Sequence, residues 1–122
     1  MLFTLGNNEN CCFIVGYEGK EKAIGITAID ADTEEKIATF TWPDGNANYE
    51  VGVATILNEF VEEDELEGCK TATEVLEKLG IVEKVLKKYD VDCVDVALCS
   101  INLNKLAQYS KRWSYSEYEV KN

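Results

Sequence analysis

The chain has 122 residues, 46% hydrophobic and 29% charged, with a net charge of −11 and no histidine. That much apolar material buries a core without staples and excludes a disordered or collagen-like chain. The charge disfavours nucleic-acid phosphate and anionic membranes as ligands, and it is uneven: 15 of the 23 acidic residues but only 3 of the 12 basic ones precede Gly68.

The first third reads as β-structure. Leu2 to Leu5 suits an edge strand, and the apolar run Cys11 to Tyr17 ends at the turn signal Glu18-Gly19-Lys20. Ala23 to Ile29 and Lys36 to Trp42 flank the polar segment Asp30-Ala31-Asp32-Thr33-Glu34-Glu35. In the second of these, Ile37, Thr39 and Thr41 alternate with Ala38, Phe40 and Trp42, the period of a strand with one buried face. Short turns between such runs predict antiparallel hairpins.

Trp42-Pro43-Asp44-Gly45-Asn46 reads as a change of direction. Tyr49, Val53, Ile56, Leu57, Phe60 and Val61 follow at helical spacing, which predicts a first helix. It runs into Glu62-Glu63-Asp64-Glu65-Leu66-Glu67, and negative charge opposes a helix C-terminus. Thr71-x-x-Glu74 is a capping box for a second helix, with the stripe Val75, Leu76, Leu79, Val82, Val85, Leu86 and Tyr89. Glu74 with Lys78 and Glu83 with Lys87 form i,i+4 pairs on that helix. Gly80 interrupts it at about 1 kcal/mol relative to alanine, so it bends or splits there.

Asp90-Val91-Asp92 closes the helix, and Cys93 to Ile101 reads as a buried strand. In the tail, Leu103 to Trp113 suits a short helix and Tyr115 to Val120 a final strand. No repeat, linker or low-complexity tract divides the chain. The expectation is one α+β domain over residues 1–122, a largely antiparallel sheet of about four to five strands with two or three helices packed on one face.

The five cysteines form no Cys-x-x-Cys pair, and free buried thiols in a reducing compartment account for them. No run of about 18 apolar residues spans a membrane. The first ten residues carry no leader pattern. A cytoplasmic protein is expected.

Three groups of residues are candidates for function. Asp30 and Asp32, at i,i+2 on one strand face, with Asp92 or Asp95 from the later strand, are of the type that holds divalent cations for phosphoryl chemistry. The order of hairpins and then a helix resembles the opening of an RNase H-like fold. The segment Gly25-Ile26-Thr27-Ala28-Ile29-Asp30 resembles the connector domain of mismatch-repair MutS proteins. This resemblance is confined to the first third and lacks a diagnostic motif, as well as the strand that fold requires between the two helices. It implies a metal-dependent or degenerate nuclease domain.

The second group is acidic. Glu59, Glu62 and Glu63 fall on one side of the first expected helix, with Asp64 and Glu65 beyond and Asp30, Asp32, Glu34 and Glu35 in a loop. A broad negative face of this kind imitates nucleic acid and occupies a basic groove. Nuclease inhibitors of the immunity and phage anti-defence type share this size and charge, a class-level analogy. The third group interleaves cations with aromatics: Tyr109, Lys111, Arg112, Trp113, Tyr115 and Tyr118. Such groups stack on a base and hold a phosphate, or anchor a homodimer.

Catalysis has little to work with. Without histidine, a general base needs a strongly shifted carboxylate, lysine or thiol, and no nucleophile, Walker or dinucleotide fingerprint occurs. No residue is assigned a catalytic role, and no metal site or cofactor is expected. The leading expectation is a non-catalytic inhibitor of a basic protein, a nuclease or nucleic-acid-binding enzyme, with no direct contact to nucleic acid or membrane. The alternatives are a nucleotide-like ligand at the aromatic-basic tail and the metal-dependent nuclease.

Overall fold

The computed structural model describes residues 1–18, 23–42, 52–59 and 71–115. Period-two alternation builds the first sheet. β2 (Asn8–Glu18) pairs antiparallel with β1 (Phe3–Leu5) and with β3 (Ala23–Asp30), which in turn pairs with β4 (Lys36–Thr39). On the edge of β2 that β3 leaves open, β8 (Ser110–Trp113) runs parallel beside Phe13 to Val15. Phe13, Val15, Ile24, Ile26, Ala28 and Ala38 point inward and are buried. Phe13 stacks on Phe3 at 4.5 Å and meets the edge of Phe40 at 5.2 Å.

The second sheet has the order β5-β7-β6, from β5 (Val53–Leu57), β7 (Val94–Ile101) and β6 (Val82–Val91), all antiparallel. The chain passes from one sheet to the other just after β4. Phe40 N–H still donates to Ile26 of β3, whereas its carbonyl accepts from Leu57 N–H at 2.9 Å and Trp42 N–H donates to Thr55 at 3.1 Å. Strands that switch sheets in this way make the corners of β-sandwiches and barrels. Buried residues of both sheets form one contiguous core cluster.

Among the described residues two short helices accompany the sheets. α1 (Ala72–Lys78) starts where Thr71 Oγ1 accepts from Glu74 N–H at 2.9 Å, as the capping box predicts. It ends in a Schellman motif: Gly80 N–H donates to Glu77 at 3.0 Å and Ile81 N–H to Leu76 at 2.8 Å. Gly80 holds φ +75°, a conformation natural to glycine. α2 (Leu103–Gln108) is capped by the Asn102 side chain, which accepts from Lys105 N–H. Among the described residues no helix is long and apolar enough to cross a membrane.

The expected α+β layer arrangement is therefore wrong: the described residues are mostly β, with eight strands in two sheets and only two short helices among them. Two segments account for the error. Val53, Ile56 and Leu57 were spaced as a helix face, but they belong to β5, whose residues Ala54 to Leu57 are all buried. A strand buried on both faces has no alternation to betray it.

The stripe Val82, Val85 and Tyr89 lies on β6, which carries bulges between Val82 and Lys84 and between Val85 and Lys87. Each bulge inserts one residue, so Val82, Val85 and Lys88 are opposite Ile101, Cys99 and Ala97 on one face. The first bulge thus turns a period of two into the spacing of three between Val82 and Val85, which imitates a helix, whereas Tyr89, opposite Val96, lies on the other face. The pair Glu83 and Lys87 is accordingly on a strand. Asp92 and Cys93 form a two-residue hairpin turn with φ 51° and 66°, so the closing helix end and the strand start at Cys93 are also corrected. In the tail, α2 covers only the first part of the expected helix, the strand β8 occupies Ser110–Trp113 where helix was expected, and Ser116 to Val120 lie outside the described residues.

Candidate functional site

Asp30 ends β3 and organises the loop that follows. Its Oδ1 accepts from the N–H groups of Asp32 at 2.9 Å and Thr33 at 3.0 Å, and its Oδ2 from Asn8 Nδ2 at 2.9 Å. The loop closes as Glu34 N–H donates to the Asp30 carbonyl, with Glu34 itself at φ 61°. The Asn8 amide, and then the backbone donors, hold the Asp30 carboxyl down from the usual 3.8 to about 2. This carboxylate is a loop cap. Asp32 is exposed on the loop, and among the described residues no three side chains of metal-ligating type gather.

The rest of that loop meets the C-terminal segment. Glu34 pairs with both Arg112 and Lys111 of β8, and Lys111 Nζ also donates to the Ala31 carbonyl at 2.7 Å. Two surfaces that the sequence presented as separate, one acidic and one basic, therefore lie together and neutralise each other. Exposed pairs of this kind contribute about 0–1 kcal/mol each, so they fix position more than stability.

The aromatic residues of the same segment turn inward. Tyr115 is buried, the Trp113 indole N–H donates to the Tyr115 carbonyl at 2.9 Å, and Tyr109 packs edge-on to Phe3 at 6.1 Å. Trp113 and Tyr109 are half-buried, and Tyr118 lies outside the described residues.

A different concentration of charge stands at one end of the second sheet. Glu59 follows β5 instead of lying on a helix face, and Glu62, Glu63, Asp64 and Glu65 lie outside the described residues. The neighbouring Asn58 donates from its backbone N–H to the Asp95 carbonyl at 3.0 Å and from Nδ2 to Asp95 Oδ1 at 3.2 Å. That brings Glu59 close to the start of β7. Across the β6–β7 hairpin Asp95 is directly opposite Asp90, and Asp92 sits in the turn between them. Glu59, Asp90, Asp92 and Asp95 are all exposed.

The sequence reading took Asp92 or Asp95 as a partner for Asp30, and gave Asp90 only as part of a helix end. Its only local signal was the repeat Asp90-Val91-Asp92-Cys93-Val94-Asp95, in which carboxylates face one another only if the chain is a hairpin.

Burial, with Glu77 nearby, pushes the Cys99 thiol up to about 12, and burial also raises Cys12. No family model, curated protein or solved structure matches the chain.

Proposed function

We propose that this is a non-catalytic cytoplasmic protein that binds and blocks a basic protein, a nuclease or nucleic-acid-binding enzyme, through the acidic end of its second sheet. The observation that carries the reading is the cross-strand pair Asp90 and Asp95. Like charges directly opposite in a sheet destabilise it, so stability does not account for their placement. Asp92 and Glu59 add to the same exposed end. Such a field attracts Lys/Arg-rich surfaces, speeds their encounter and rejects phosphate. The loop from Asp30 to Glu35 contributes less than its sequence suggests, because Asp30 caps the loop and Glu34 is neutralised by Lys111 and Arg112.

The test compares the native chain with the variant Glu59→Lys/Asp90→Lys/Asp92→Lys as baits in lysate of the source cells, at low and high salt. The reading expects one basic protein, held by the native bait at low salt, released at high salt and absent from the variant. Equal retention by both baits sinks it.

A further inference from the structure

The outer face of the first sheet carries a second site, remote in kind from the acidic end. Cross-strand registers set Thr39 opposite Thr27, Thr27 opposite Ile14, and Ile14 opposite Arg112, forming one row across β4, β3, β2 and β8. Two residues further along β2 and back along β3, Gly16 faces Gly25. These residues line an open trough of about 450 Å³, with Ser114 and Thr41 also at its walls. Small-molecule sites span about 300–1,000 Å³.

Gly25 is the unexplained member of the glycine pair, since Ser114 packs closely on Gly16. Neither Gly16 nor Gly25 has a positive φ, so the backbone does not demand glycine at either position. Glycine inside a strand costs about 0.5–1 kcal/mol relative to alanine, and it marks places where another molecule approaches the backbone closely. A Cβ on Gly16 would stand 3.2 Å from Ser114 Oγ, so a side chain there would crowd the trough wall.

We propose that this trough binds a small sugar-like ligand bearing a single acidic group, its ring over Gly16 and Gly25 and its acidic group against Arg112. Hydroxyls line the walls at Thr27, Thr39 and Ser114, and a hydroxyl both donates and accepts, which suits a polyol. Glu34 engages Arg112 through Nη2, and this contact orients the guanidinium beside the trough while its fork geometry serves a bidentate anion. The net charge of −11 opposes ligands with more than one negative charge.

The experiment is an NMR titration of ¹⁵N-labelled protein with glucuronate, a monoanion, and separately with glucose and with acetate. Saturable shifts of the Gly16 and Gly25 amides are expected with glucuronate, at least about tenfold tighter than with either component. Arg112→Gln should weaken binding by about tenfold or more, since it removes a charge-assisted hydrogen bond. Gly25→Val fills the floor with a strand-favouring side chain and should abolish the shifts in a spectrum that stays dispersed. Absence of saturable shifts at the two glycines overturns the proposal. So does acetate binding as tightly as glucuronate, or binding undiminished in Arg112→Gln.

Discussion

Asp90 and Asp95 stand directly opposite each other two residues before and after the tip of the β6–β7 hairpin. The Asp95 carbonyl is already taken by Asn58 of the neighbouring chain segment, so this pair is of the type without mutual backbone bonds. In such pairs the Cα atoms are only about 4.5 Å apart and the side chains are close. The contrast with Glu34 is informative. There an exposed carboxylate is met by two cations from a segment 78 residues away, whereas at the hairpin exposed carboxylates meet each other.

Replacing Asp90 by lysine should therefore stabilise the fold. It converts a repulsive cross-strand pair to an attractive one, worth about 0.5–1 kcal/mol. The urea midpoint should rise with an unchanged slope, and added salt should shrink the gain. A fall in the midpoint would mean that the Asp90–Asp95 repulsion is already relieved, and would remove the main argument for a functional acidic end.

Asp30 makes a prediction about acid. Its carboxyl is held at about 2 in the folded protein, below the usual 3.8, by Asn8 and by the N–H groups of Thr33 and Asp32. A group depressed in the folded state contributes stability above its unfolded pKa and loses it as pH falls through the folded value. Stability should therefore decline from about pH 4 down to about pH 2, and Asp30→Asn should flatten that limb. Denaturant midpoints across this range check it; an acid limb identical in the variant would assign the loss to other carboxylates.

How far the sequence revealed this protein depends on where the period of its side chains survived folding. β1 to β4 kept alternation and were legible, as was the Thr71 cap. β5 is buried on both faces and β6 is bulged twice, so both lost the period and read as helix. The acidic end went with them: Asp90 faces Asp95 only across a hairpin. The contact of Glu34 with Arg112 and the opposition of Gly16 and Gly25 depend on pairing between strands, about which a local pattern says nothing.

Gly80 reverses its sign between sequence and structure. Inside an uninterrupted helix, alanine there would be stabilising. At φ +75° in a Schellman motif it is destabilising, since a side chain in the left-handed region costs about 1–2 kcal/mol. The nearest heavy atom to the added Cβ is Cε of the flexible Lys105 side chain, at 3.4 Å, so the cost is one of backbone conformation. Gly80→Ala should lower stability by about 1 kcal/mol in urea, and Gly80→Asn by less, because asparagine tolerates this region. A stabilising Gly80→Ala would place the helix beyond residue 80 and restore the sequence reading.

Trp113→Ala separates a ligand anchor from a structural one. Half-buried on β8, the indole packs against the core cluster, lies 6.4 Å edge-on from the Tyr115 ring and donates to the Tyr115 carbonyl. Truncation removes that packing and leaves the carbonyl without its indole donor. The expected loss is about 2–3 kcal/mol, below the 3–5 kcal/mol of a fully buried aromatic. For a chain of this size the melting temperature should fall by roughly 10 °C. If the indole were instead a stacking surface for a ligand, the melting temperature would hardly move while binding vanished. Measuring both on the one variant tells which face of β8 the tryptophan serves: the core, on the side of Val15, or the trough, on the side of Arg112 and Ile14.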